Sequence, residues 1–183
     1  FKMKEEVDQE LYRYNKAINT EVGKLKTLFN LVSSWENELK KINEKWTILE
    51  KSRNAILKSN DGGMMGDAYQ STEIKNGILM ITQAGGSSWK LDYTDKYRFQ
   101  NGRFELIGYS SSSGKPEEYW TDIDFNLSTG KLIFEKEVEN RKEYGDSRKE
   151  TVIKKGIKLN LQNRNQKERI EILLPKTKEK VYL

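Results

Sequence analysis

The sequence predicts an α+β protein, with a long coiled-coil-like N-terminal helix followed by a twisted antiparallel β-meander of about six to eight strands. Two observations point there. In the first part of the chain, apolar residues return at alternating steps of four and three, the seven-residue repeat of a coiled-coil seam. From residue 58 onward the spacing changes to two, and Asn-Gly and Gly-Lys pairs punctuate it, as in consecutive hairpins. The expected division is a helical segment, residues 1–57, and an antiparallel β domain with basic C-terminal strands, residues 58–183.

The helical expectation rests on residues 3–49, which hold no Pro and a single Gly. Glu21 is the one polar residue of a seam that runs from Val7 to Leu49. At ~1.5 Å per residue a continuous helix would form a rod longer than a domain of this size needs for its own core. Leu11, Ile18, Leu25, Leu28, Val32, Trp35 and Leu39 are therefore the candidate partner-binding seam, for self-association or for a protein partner with a matching stripe. Ser33 with Glu36 matches a capping box, so a hairpin broken at Ser33-Ser34 is the alternative to one rod.

Residues 59–67, SNDGGMMGD, concentrate Gly with Asn and Asp, and mark the boundary. Residues 74–82 open the predicted sheet, with Asn76-Gly77 as a turn at its start. Residues 88–99 alternate most clearly: Trp89, Leu91, Tyr93, Tyr97 and Phe99 fall on one face, expected in the core, and Lys90, Asp92, Thr94, Lys96 and Arg98 on the other. Asn101-Gly102 makes a two-residue hairpin into a strand over 103–110, and 110–116 reads as a flexible loop. A second hairpin joins 118–126 to 130–138 around Ser128-Thr129-Gly130. Ile153, Ile157, Leu159, Leu161, Ile170, Ile172 and Leu174 keep strand spacing in the tail, while 139–149 and 162–168 read as exposed, mobile loops.

Five spaced segments, DGGMMGDAY, KNGILMI, GGSSWKLDY, YRFQNGRFELIGY and NLSTGK, span residues 61–131. In this order they resemble a β-rich domain family of bacterial secreted proteins and lipoproteins. The match falls on Asp61, Gly62, Gly63, Gly66, Asp67, Gly85, Gly86, Ser87, Trp89, Leu106, Ile107, Gly108, Tyr109, Asn126, Thr129, Gly130 and Lys131. The resemblance implies an exported envelope protein and carries no activity with it. Many members of that family carry repeat-like β segments ahead of this domain, where the present chain has its heptad pattern.

Composition narrows the chemistry. The 183 residues include no His and no Cys, which removes imidazole bases, thiol nucleophiles, disulfides and the usual zinc sites. Leu, Ile, Val and Phe make up less than a quarter of the chain, so the expected core is thin. Asp122, Asp124 and Asn126 begin like a calcium loop, but Leu127 stands where a Gly is needed and Ile133 where a bidentate Glu is needed, so no metal is expected. Asp92, Asp95, Glu105 and Asp122 offer carboxylates without a distinguishing arrangement. GGSS at 85–88 and DGG at 61–63 lack the strand-to-helix setting of a phosphate loop and read as turns. No cofactor is expected.

The net charge of +5 concentrates in residues 136–183, but acids interrupt the basic run, and nucleic acid is not the expected partner. No stretch has the ~20 consecutive apolar residues of a membrane helix. The chain begins at Phe1, which suggests a removed signal segment and a secreted, periplasmic or cell-surface location. Tyr109 and Trp120 fall out of phase with the core faces; they are candidate ligand aromatics, or else a second layer covers them.

The sequence thus predicts a non-catalytic interaction or structural module of a bacterial envelope, assembling through its N-terminal helix. The alternatives are a small carboxylate-dependent hydrolase or glycan-binding domain and, second, a basic nucleic-acid-binding protein.

Overall fold

A computed structural model describes residues 50–183, within one compact unit that runs from Leu49 to Leu183. The expected helix and its seam, from Leu11 to Leu39, lie outside the described residues. Within them the α+β expectation is overturned. Seven strands form one antiparallel sheet, two more form a ribbon, and the helical structure is a single segment, α1 (Arg141–Tyr144). One turn is all that α1 can form, because Gly145 follows it at φ 77° and strand spacing resumes at Arg148.

The strands are β1 (Tyr69–Lys75), β2 (Ile78–Gly86), β3 (Lys90–Gln100), β4 (Arg103–Lys115), β5 (Tyr119–Asn126), β6 (Lys131–Val138), β7 (Arg148–Ile153), β8 (Glu171–Leu173) and β9 (Lys180–Tyr182). Sequence order is also spatial order in the large sheet, from β1 to β7. Both Asn-Gly pairs are hairpin tips: Asn76 and Gly77 have φ of 52° and 72°, Asn101 and Gly102 of 54° and 75°. Positive φ at both central residues matches the right-handed twist of the flanking strands. Asn76-Gly77 is the tip of a full β1–β2 hairpin, so the sheet opens one strand earlier than the alternation indicated.

The segment 110–115, expected to be a loop, is strand. Ser110 to Ser113 pair with β3 on one side and β5 on the other, so paired backbone groups hold a run that side-chain pattern alone does not mark as β. A β-bulge in the same strand has a larger effect. Lys96 pairs with Gly108 and Tyr97 with Leu106, so Ile107 is an extra residue in β4. An extra residue reverses the alternation. Phe104 and Leu106 face inward before it, Tyr109 and Ser111 after it.

One face of the sheet carries the core. Ile81, Asp95, Tyr109, Phe125, Leu132 and Val152 form a row across β2 to β7. After β7 the chain leaves the sheet and crosses this inner face. The Leu106 amide donates to the Leu159 carbonyl and the Leu161 amide to the Phe104 carbonyl, the β8–β9 ribbon follows, and Ile172, Leu174, Val181 and Leu183 pack on Phe125, Leu132 and Phe134. The tail is therefore the second layer of the core, and only its short β8 and β9 segments are strand. Residues 162–168, expected as an exposed loop, send Arg164 and Gln166 into the interior.

The two glycine-rich motifs pack together. Gly63 bridges Gly86, and the Gly86 amide donates to the Gly62 carbonyl at 3.1 Å. A Cβ on Gly62 would fall 2.2 Å from the Gly66 carbonyl oxygen. The tight turn over residues 62–68 thus requires glycine at this position.

Candidate functional site

The inner face holds a buried polar cluster and, beside it, an open cleft. Asp95 sits between Tyr93 and Tyr97 on β3, and alternation places all three inward. Its carboxylate is wholly buried and fully engaged. Arg164 Nε donates to Oδ2 at 2.9 Å and Arg164 Nη2 to Oδ1 at 3.3 Å. Gln166 Nε2 at 2.8 Å and the Tyr97 hydroxyl at 3.1 Å complete the shell. Gln166 Nε2 also reaches the Ala55 carbonyl, which accepts from Gln83 Nε2 as well, both at 3.1 Å. Gln83 Oε1 accepts from the Leu57 amide at 2.7 Å. One network thus ties residues 55–57, β2, β3 and the 164–166 segment together.

Charge in this network follows burial. Burial alone would lower the Arg164 pKa, but the adjacent Asp95 carboxylate holds it above its ordinary value. Burial and then Asp95 push the hydroxyls of Tyr97 and Tyr93 well above the usual phenol range, and burial also raises Tyr109. All three phenols are neutral hydrogen-bonding groups at physiological pH.

The cleft, of about 410 Å³, opens between this cluster and the β8–β9 ribbon. That is within the range of roughly 300–1,000 Å³ occupied by small-molecule sites. Its floor is Tyr93, Tyr109, Ser111, Ser113, Thr121 and Ile123 from β3, β4 and β5. Trp89 and Tyr119 form one wall, edge to face with centroids 5.2 Å apart. Tyr182 and Leu183 stand on the ribbon side. Trp89 corrects the sequence reading: it lies just before β3 and is 38% exposed, not a core residue, because the chain bends there and Gly86 turns at φ 119°.

Among the described residues, four cations line the cleft: Lys136, Arg164, Arg169 and Lys180. Lys136 alternates with Leu132 and Phe134 on the inner face of β6, and its Nζ lies 3.8 Å from the Tyr119 ring centroid. It also pairs with Glu179 Oε1 at 3.4 Å. Arg148 Nε lies 3.1 Å from that same oxygen, a charge contact without hydrogen-bond alignment. Lys180 pairs with Glu171 at 3.0 Å and Arg164 with Asp95. Arg169 has neither an ion pair nor a hydrogen bond among the described residues, and its charge acts on the Tyr93 and Tyr109 hydroxyls. A second depression of about 410 Å³ between β6 and β7 has no aromatic wall.

Of the two candidate ligand aromatics, only Tyr109 reaches the cleft, and it does so because the bulge at Ile107 turns it inward, where it is 6% exposed. Its apparent phase error was the bulge itself. Trp120 lies on the outer face, half-buried, opposite Gly114, where a Cβ would come 2.9 Å from the indole. The structure does not bring the two together.

The carboxylates also separate. Asp92 and Asp122 lie on the outer face, where burial first and Asp122 second raise Asp92 above its ordinary value. Glu105 accepts from Gln100 and Asn101 at its hairpin, which holds it below the usual range. Asn126 Oδ1 accepts from the Thr129 amide at 3.0 Å, so the third residue of the calcium-like run is engaged in a turn. No acidic cluster able to hold a metal occurs among the described residues.

Sequence reasoning missed Lys136, Arg164, Arg169 and Tyr182. Lys136 was legible as the one charged residue in phase with an apolar strand face. Arg164 and Arg169 carry no local signal, because their place depends on how the tail crosses the sheet. No helix among the described residues is long and apolar enough to cross a membrane. The chain matches no family model, no curated protein and no solved structure.

Proposed function

We propose that the β domain is a non-catalytic binding module that holds a saccharide in the cleft of its inner face. The observation that carries this reading is the composition of the cleft: the exposed indole of Trp89, backed by the half-buried phenol of Tyr119, beside a floor of hydroxyls from Ser111, Ser113 and Thr121. Aromatic faces pack on the apolar C–H face of a sugar ring, and hydroxyl groups satisfy its rim. Acid/base chemistry is poorly supported there. Glu179, the only acidic side chain lining the cleft among the described residues, is shared between Lys136 and Arg148. A secreted or cell-surface location, which the five-motif resemblance implies, accords with a saccharide-binding role.

The test is a titration of the protein with soluble oligosaccharides, followed through its backbone-amide and indole N–H resonances. Shifts confined to Trp89, Thr121 and the ribbon, abolished in a folded Trp89→Ala variant, are the expected result. Shifts centred on Trp120 would move the site to the outer face, and release of new reducing ends would replace a binding module by a hydrolase.

A further inference from the structure

Resting on that reading, we propose that the saccharide is anionic, bearing a carboxylate or sulfate group that pairs with Arg169 at the rim of the cleft. The inference comes from the charge balance of the lining. Arg164 is committed to Asp95, Lys136 to Glu179 and Lys180 to Glu171. Arg169 is exposed and engaged by no acid among the described residues, although it lines the same cleft. Glu179 already serves two cations and leaves no negative charge for a third.

The cleft therefore presents a fixed positive excess next to its aromatic wall. A guanidinium fork matches the two oxygens of a carboxylate or sulfate, and such charge-assisted pairs are shorter and stronger than neutral ones. The hydroxyls of Tyr93 and Tyr109 remain protonated and add no competing anion. A neutral saccharide would leave Arg169 facing solvent, whereas an anionic one closes the charge balance.

Three ligands of equal length decide the matter by calorimetry on the full chain: a neutral galacto-oligosaccharide, an oligogalacturonate and a sulfated galacto-oligosaccharide. One or both anionic ligands should bind about tenfold tighter than the neutral one, the size expected for a hydrogen bond to a charged group. The more strongly preferred of the two identifies the source of the anion. Added salt should erode that preference. Arg169→Gln should abolish that preference, bringing the anionic ligands down to the affinity of the neutral one measured on the same variant, and Arg169→Lys should restore part. An unaltered amide spectrum is expected for both variants because Arg169 is exposed. Equal affinity for all three ligands would overturn the anionic inference while leaving the saccharide module standing. Binding of none would remove both, and a preference that survives Arg169→Gln would assign the anion to another cation.

Discussion

Arg164 donates to both carboxylate oxygens of Asp95, and neither side chain is accessible to solvent beyond 3%. The two lie 69 residues apart in sequence. This pair fixes where the tail crosses the sheet, and so fixes the roof of the cleft. A buried ion pair is a poor source of net stability, because removing two charges from water offsets their attraction. Its effect is positional: any other path of the tail leaves Asp95 or Arg164 buried and unpaired.

Breaking this pair from one side should therefore be severe. Asp95→Ala leaves Arg164 without its counter-charge, and a loss of about 3–5 kcal/mol in urea denaturation is expected. Asp95→Leu combined with Arg164→Met should recover much of that loss, because it removes both charges while keeping the volume filled. A single-variant loss below about 1 kcal/mol, the range of an exposed pair, would show that the pair is solvated.

Trp89 and Phe134 separate cleft wall from core. Phe134 is 1% exposed, and Phe134→Ala should cost about 3–5 kcal/mol. Trp89 is 38% exposed, so Trp89→Ala should cost clearly less, with about 0.5–1.5 kcal/mol of the loss due to the edge contact with Tyr119 and the rest to the buried part of the indole. Equal shifts in denaturation midpoint would place Trp89 in the core and take away the aromatic wall.

Gly77 and Gly86 both have positive φ, but only one is crowded. Gly77→Ala meets open space, so its cost is the dihedral strain alone, about 1–2 kcal/mol. At Gly86 the new Cβ would also fall 2.0 Å from the Trp89 carbonyl oxygen. Gly86→Ala should lower the melting temperature clearly more than Gly77→Ala and shift the Trp89 indole resonance. Equal effects of the two substitutions would mean that the contact relaxes without cost.

Acid should weaken the fold partly through Glu150. Burial alone would raise its pKa, but hydrogen bonds from the Thr177 and Lys176 amides and the Thr177 hydroxyl hold it below its ordinary 4.5. A depressed folded-state pKa contributes stability that is complete above 4.5 and is lost as pH falls through the folded value. Asp92, shifted upward, works in the opposite direction. Glu150→Gln should be less stable than the parent at pH 7, with the difference shrinking below pH 4.5. Parallel melting-temperature curves for the two proteins across that range would exclude Glu150 as a contributor.

Local chemistry made part of this protein legible from sequence alone. Asn76-Gly77 and Asn101-Gly102 specify hairpin tips because the required positive φ is a property of those residues. The 118–126 and 130–138 hairpin follows from alternation, and Asp95, between Tyr93 and Tyr97, was already in phase with the inner face. The DGG motif at 61–63 was readable as a turn, whereas Gly85 and Gly86 end strand β2 and only residues 87–89 bend; the contact between the two motifs was not legible.

Only the tertiary structure decided the rest. The bulge at Ile107 is set by pairing to β3 on one side and β5 on the other, and it alone explains why Tyr109 faces the core. Ser110 to Ser113 became strand because their backbone groups had partners, not because their side chains favour extension. Arg164 and Gln166 reached the inner face through contacts more than 60 residues away in sequence, and the same crossing segment carries Arg169 to the cleft. Turn chemistry and alternation act over a few residues and are written in the order of the chain. A cleft built from four strands of the sheet and a returning tail depends on which distant groups satisfy one another, and that is settled only when the chain folds.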